Sequence, residues 1–164
     1  MHAREGDGIG FRNCSSLVIA FLLVSVFSLE QAHSAPAAPA ADPEYEKCLV
    51  AQSFLGERLW IWQKRLNLTN WNIRLKLARS SELKPKTLGN IHWDAPTHSA
   101  ELKVMAPEDY QISTHDMLAD MEFTVVHELI HLQLSSLPRS EASRGAEEHA
   151  VNQITQALLN LDRR

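Results

Sequence analysis

Apolar side chains recur along this chain with two different periods, and the switches between them mark out the elements. From Glu44 to Leu66 the spacing is helical, with Leu49, Phe54, Leu55, Leu59, Ile61, Trp62 and Leu66 recurring and no proline to interrupt them. Leu68-Thr69-Asn70 breaks that pattern. Trp71 to Ala78 then alternates strictly: Trp71, Ile73, Leu75 and Leu77 share one face, while Asn72, Arg74 and Lys76 share the other, as in a half-buried strand. Ser80 to Lys86 is a turn region containing Pro85. Thr87 to Asp94 is a second strand with Gly89 near its start. Ala100 to Met105 is a third, with Ala100, Leu102 and Val104 alternating against Glu101, Lys103 and Met105. The short links between them suggest three antiparallel strands, with Ala100–Met105 as an edge. A helix follows from near Asp116 to about Ser136, free of Gly and Pro from Met117 to Leu137 and halted by Pro138. A last helix runs from about Arg144 to Leu161, with Ala150, Val151, Ile154, Leu158 and Leu161 as its apolar residues. Helix, small sheet and two helices in that order predict an α+β domain.

Ahead of this pattern lies an uncharged apolar run, Leu17 to Leu29, of 13 residues. It is short for a bilayer span. Ala32 and Ser34 follow at small-residue positions suited to cleavage, so residues 1–34 form an expected signal peptide. Glu5 and Asp7 offset Arg4 and Arg12 in its first part, which keeps a membrane anchor through residues 17–29 as the alternative. Residues 35–43, A-P-A-A-P-A-A-D-P, are a Pro/Ala linker, and residues 44–164 the folded domain. The expected location is secreted or periplasmic, with no stable membrane contact once the leader is removed.

Composition narrows the chemistry. The net charge is −4 over 164 residues. It is still −3 past residue 34, where the 16 basic residues lose Arg4 and Arg12 and the 20 acidic ones lose Glu5, Asp7 and Glu30. Without a basic cluster, nucleic acid is not an expected partner. Cys14 falls in the leader, so Cys48 stands alone. That excludes an internal disulfide and a cysteine-rich zinc site, and its apolar helical setting suggests a buried, inert thiol.

The chemistry lies in the Pro138-terminated helix, at His127-Glu128-Leu129-Ile130-His131. On a helix the two imidazoles fall one turn apart on one face, where they can grip a single divalent metal, usually zinc. Glu128, beside the first histidine, can act as general base toward a metal-activated water. Two polar rings in so apolar a segment need partners, and a metal supplies one. A catalytic zinc needs a third protein ligand. The last helix offers Glu147, Glu148 and His149 in consecutive positions, which diverge by about 100° each, so only one can face the metal. Glu147 lies nearest the centre of the Val151/Ile154/Leu158 stripe. Glu148 has Asn152 one turn on, suited to orienting a ligating histidine. The pattern leaves the choice open.

The H-E-L-I-H sequence with a downstream glutamate resembles the gluzincin metallopeptidases. Glu148-His149-Ala150-Val151-Asn152-Gln153-Ile154 with Leu158-Leu159 is similar to the E-x-x-A-N-x-F-A-x-x-L-L segment of ImmA/IrrE-type peptidases, and the compact element order is similar to the minigluzincins. The resemblance covers about Glu122 to Leu159. It implies a zincin-like fold, His127, His131 and Glu148 as zinc ligands, Asn152 as a residue orienting them, and Glu128 as catalytic base. Departures exist: Val151 replaces a small alanine, and the related enzymes are intracellular. A second register, matching the E-x-x-A-D pattern, keeps Glu147 as the alternate third ligand. The expected activity is that of a small exported zinc metallopeptidase acting on a peptide or protein substrate, with Ala100–Met105 as the edge strand to which an extended substrate pairs by backbone hydrogen bonds. The alternative is a non-catalytic secreted module with a structural zinc, or an inactive relative that binds a partner. His98, His115 and Tyr110 are further candidates for stabilising an oxyanion.

Overall fold

A computed structural model describes residues 42–138 and 140–163. The presumed signal peptide, the anchor alternative and most of the Pro/Ala linker lie outside the described residues. Helix α1 spans Pro43–Arg65. The last two linker residues belong to its start: Asp42 accepts the Glu44 amide at 3.0 Å, and Pro43 occupies the first turn, where a missing N–H costs nothing. Its end is a Schellman turn. Asn67 takes a left-handed φ of 55°, and the Asn67 and Leu68 amides bond back to Lys64 and Gln63. Cys48 is only half-buried, so the expected buried thiol is not seen.

Strands β1 (Asn72–Ala78), β2 (Gly89–Asp94) and β3 (Ser99–Met105) form one sheet in the order β1-β3-β2. The expected all-antiparallel sheet is corrected here. β2 and β3 are an antiparallel hairpin, but β1 pairs with β3 in parallel. The connection from β1 to β2, with its own 3-10 turn at Ser80–Glu82, is long enough to step over the central position. β3 then returns into that gap. Its inward residues Ala100, Leu102 and Val104 are buried, whereas Ile73, Leu75 and Leu77 of β1 are only partly so. Ala100–Met105 is therefore the central strand and not an edge. The free edges belong to β1 and β2.

Helix α2 (Thr114–Gln133) is capped by Ser113, which accepts the Asp116 amide. It packs on α1, on the sheet and on α3 (Arg144–Asp162). Met117, Met121, Val125, Val126, Leu129 and Leu132 supply the centre of the core. Glu122, also buried, is stabilised by the Trp62 indole N–H at 2.9 Å and by Arg58. Arg58 and Arg65 both reach Asp162, which ties α1 to the end of α3.

α3 does not bury its apolar stripe as the sequence suggests. Val151, Thr155 and Leu159 face inward, while Ile154 and Leu161 are exposed. The helix is turned by roughly a fifth of a revolution from the expected orientation. Thr155 is tolerated inside because its hydroxyl donates to the Val151 carbonyl at 2.8 Å. This rotation decides which residue at the N-terminal end of α3 faces α2. Among the described residues no helix is long and apolar enough to cross a membrane.

Candidate metal centre

α2, α3 and β2 enclose a cleft of about 660 Å³. Gly89 lets β2 approach α2 closely: a Cβ there would lie 2.5 Å from both the Lys103 carbonyl oxygen and the Thr124 methyl group. One turn further along α2, His127 and Glu128 reach the cleft, and His131 follows after another turn. From α3 come Glu147, Glu148 and Asn152. His127, Glu128, His131, Glu147, Glu148 and Asn152, marked in the sequence for the metal, the base or the positioning role, all line this one cleft. His149 is exposed and does not.

His127 Nε2 and His131 Nε2 stand 3.1 Å apart. The two carboxylate oxygens of Glu148 approach them, each at 3.4 Å, Oε2 toward His127 and Oε1 toward His131. Ligand atoms about 2.1 Å from a common metal at tetrahedral angles stand about 3.4 Å from one another. The two imidazole nitrogens are thus spaced as ligands of one ion, and with Glu148, one ligand atom from each residue lying within 4.8 Å of the others, they could hold a metal. The rotation of α3 explains the choice of carboxylate, because turning Val151, Thr155 and Leu159 inward carries Glu148 toward the histidines.

Glu147 contacts the same ring from its other side. His131 Nδ1 donates to its Oε1 at 2.9 Å. That bond fixes the proton on Nδ1 and leaves Nε2 as a lone pair facing His127 and Glu148. Sequence reasoning placed Glu147 as a competing ligand and missed this role. The signal was the pair of adjacent glutamates, whose divergence on a helix lets each address a different nitrogen. Asn152 stands beside His127 and favours its protonated form, yet His127 Nδ1 is buried without a hydrogen-bond partner. Burial, and then the neighbouring His131, lower the His127 pKa against the pull of Glu148. The neutral ring thus favoured is the form that binds a metal.

Burial pushes the Glu128 carboxyl up to about 7, against the downward pull of His131, the Ile91 backbone amide and Lys84. The Ile91 amide is available because of strand pairing. Met105 bonds to the Leu88 carbonyl, so alternation along β2 turns Gly89, Ile91 and Trp93 outward, away from β3. The free edge of β2 therefore borders the cleft, in the place assigned to β3 from sequence.

The oxyanion candidates do not reach the cleft. Tyr110 is buried with its hydroxyl unpartnered, and burial raises its pKa. His98 sits at the β2–β3 turn against Trp71, with ring centroids 5.2 Å apart. His115 is exposed in the first turn of α2 beside Asp116. Comparison of the chain with protein-family models, with curated proteins and with solved structures finds no match.

Proposed function

We propose that this protein is a small zinc-dependent metallopeptidase of gluzincin type, exported from the cell. The observation that carries the reading is the convergence of His127, His131 and Glu148 at spacings of 3.1 to 3.4 Å beside an intact Glu128. Two imidazoles and one carboxylate are the donor set of a catalytic zinc, which keeps its fourth position open. A bound zinc supplies Lewis acidity and lowers the pKa of water. Glu128, held at the cleft wall near the Ile91 amide, takes the proton from the attacking water and delivers it to the leaving amine. Glu147 holds His131 in the correct tautomer, and Asn152 lies beside the His127 ring. The outer edge of β2, opposite β3, runs along the cleft from Gly89, and an extended peptide can pair to it.

A structural zinc in a non-catalytic module would use the same three ligands. It would have no use for a carboxylic acid beside them, and Glu128 favours the enzyme. The test is hydrolysis of a mixed peptide pool by the purified domain, followed by mass spectrometry. Cleavage should stop with a chelator and return with zinc. A domain that binds zinc but leaves every peptide intact would support the structural alternative.

A further inference from the structure

The cleft carries a positive rim for which the proposed hydrolysis has no use. Lys84 and Lys86 both line it, and among the described residues neither has an ion-pair partner. Three of the four carboxylates that line the cleft with them are already engaged. Glu141 pairs with Arg144 at 2.9 Å, Glu147 with His131, and Glu148 with both histidines. Nearby Lys76 has its own partner in Glu82. On a chain of net charge −4, two unpaired ammonium groups at one end of an otherwise acidic cleft form a distinct electrostatic feature.

They are also held in place. Lys84-Pro85-Lys86-Thr87 is a β-turn closed by the Thr87 amide on the Lys84 carbonyl at 3.2 Å, and the Thr87 hydroxyl donates to the same carbonyl at 2.8 Å. Pro85 at the second position and a φ of 65° at Lys86 make it a type II turn. That third position favours glycine, and a side chain there costs on the order of 1 kcal/mol. A lysine at such a position, on the rim of a cleft, is a residue that turn chemistry alone disfavours. The turn leads directly into Gly89 and the free edge of β2.

We infer that Lys84 and Lys86 form an anion subsite that receives a carboxylate of the bound peptide, either an Asp or Glu side chain or the free C-terminus. The inference rests on the hydrolase reading and extends it to substrate class.

The experiment uses zinc-loaded protein and matched peptide sets. One set differs only in Glu against Gln at positions flanking the cleaved bond, and the other only in a free against an amidated C-terminus. The acidic member of one set should be preferred roughly 3- to 30-fold in kcat/KM, the range for two solvent-facing charge contacts. The set that shows the preference identifies the source of the carboxylate. The preference should fall toward unity in Lys84→Ala/Lys86→Ala, read as the ratio between the matched peptides so that any common effect on turnover cancels. In Lys84→Glu/Lys86→Glu it should reverse toward peptides carrying lysine. Lys86→Gly separates recognition from folding: it should keep or raise the melting temperature and still weaken the acid preference. Equal use of acidic and neutral peptides by the wild type overturns the subsite, as does a preference that survives the double alanine variant. If no peptide is cleaved, the hydrolase reading fails and affinity decides the subsite. Tighter binding of acidic peptides, lost in the double variant, supports it; indifference to charge overturns it.

Discussion

Replacing Glu128 by Gln turns a buried acid into a neutral group of the same shape, and its effect on stability must change with pH. In the folded protein, burial raises the carboxyl from 4.5 to about 7. At 1.36 kcal/mol per pKa unit, that difference corresponds to on the order of 3 kcal/mol, and about 2 kcal/mol is a fair figure for a cleft open to water. The sign follows from proton binding. Below pH 4.5 the carboxyl is protonated in both states, and its folded environment incurs no penalty. Between 4.5 and 7 the unfolded chain releases the proton while the folded chain retains it, so stability falls. Above 7 the loss is complete. The Gln variant has no such loss at any pH. Metal-free wild type and Glu128→Gln, unfolded in urea with a chelator present, should diverge by about 2 kcal/mol in favour of the variant between pH 5 and pH 8. With saturating zinc the gap should contract, because the cation stabilises the carboxylate. A stability difference that is constant from pH 5 to pH 8, or a wild type that gains on the variant as pH rises, would refute the argument.

Other consequences follow from the same geometry. Glu148→Ala should abolish tight zinc binding in a titration, whereas Glu147→Ala should weaken it by about 10- to 100-fold through the loss of His131 orientation; a reversed order would make Glu147 the ligand. Asn152→Ala should cost less than about 10-fold, since His127 Nδ1 makes no hydrogen bond that the change would remove. Gly89→Ala should destabilise the domain by about 1–3 kcal/mol in thermal unfolding, and Thr124→Ser should recover part of that loss by removing the methyl group that the new Cβ meets. Trp62→Phe should cost about 1–3 kcal/mol by leaving buried Glu122 without its indole donor.

Much of this arrangement is legible in the chain because it depends on local periodicity. The 3.6-residue pattern locates three helices to within a few residues, and one-turn spacing alone puts His127 and His131 on a common face. Strand alternation finds β1, β2 and β3. It cannot find their order, because an alternating pattern states which face is buried and not which neighbour is paired. Stepping β1 over the central position depends on the connection through Ser80–Lys86, whose composition suggests only a turn. The assignment of β3 as the substrate edge failed for that reason. The rotation of α3 was hidden in the identities of Thr155 and Ile154: the polar residue is buried through a bond to its own helix, and the apolar one is exposed. On the apolar stripe alone Glu147 faced the metal. The argument from Asn152 and the resemblance both favoured Glu148, and the observed rotation places Glu148 against the two Nε2 atoms. The candidates Tyr110, His98 and His115 were chosen by residue type, without any spacing that tied them to the H-E-L-I-H helix, and none lies in the cleft.

The account stands on Glu128 acting as a base beside a metal held by His127, His131 and Glu148. The most direct measurement is the rate of peptide hydrolysis by Glu128→Gln and wild type at equal, verified zinc content. The account predicts full zinc occupancy in the variant with a rate lower by at least ~10²-fold, the scale for a lost general base. Equal rates at equal zinc content would contradict it.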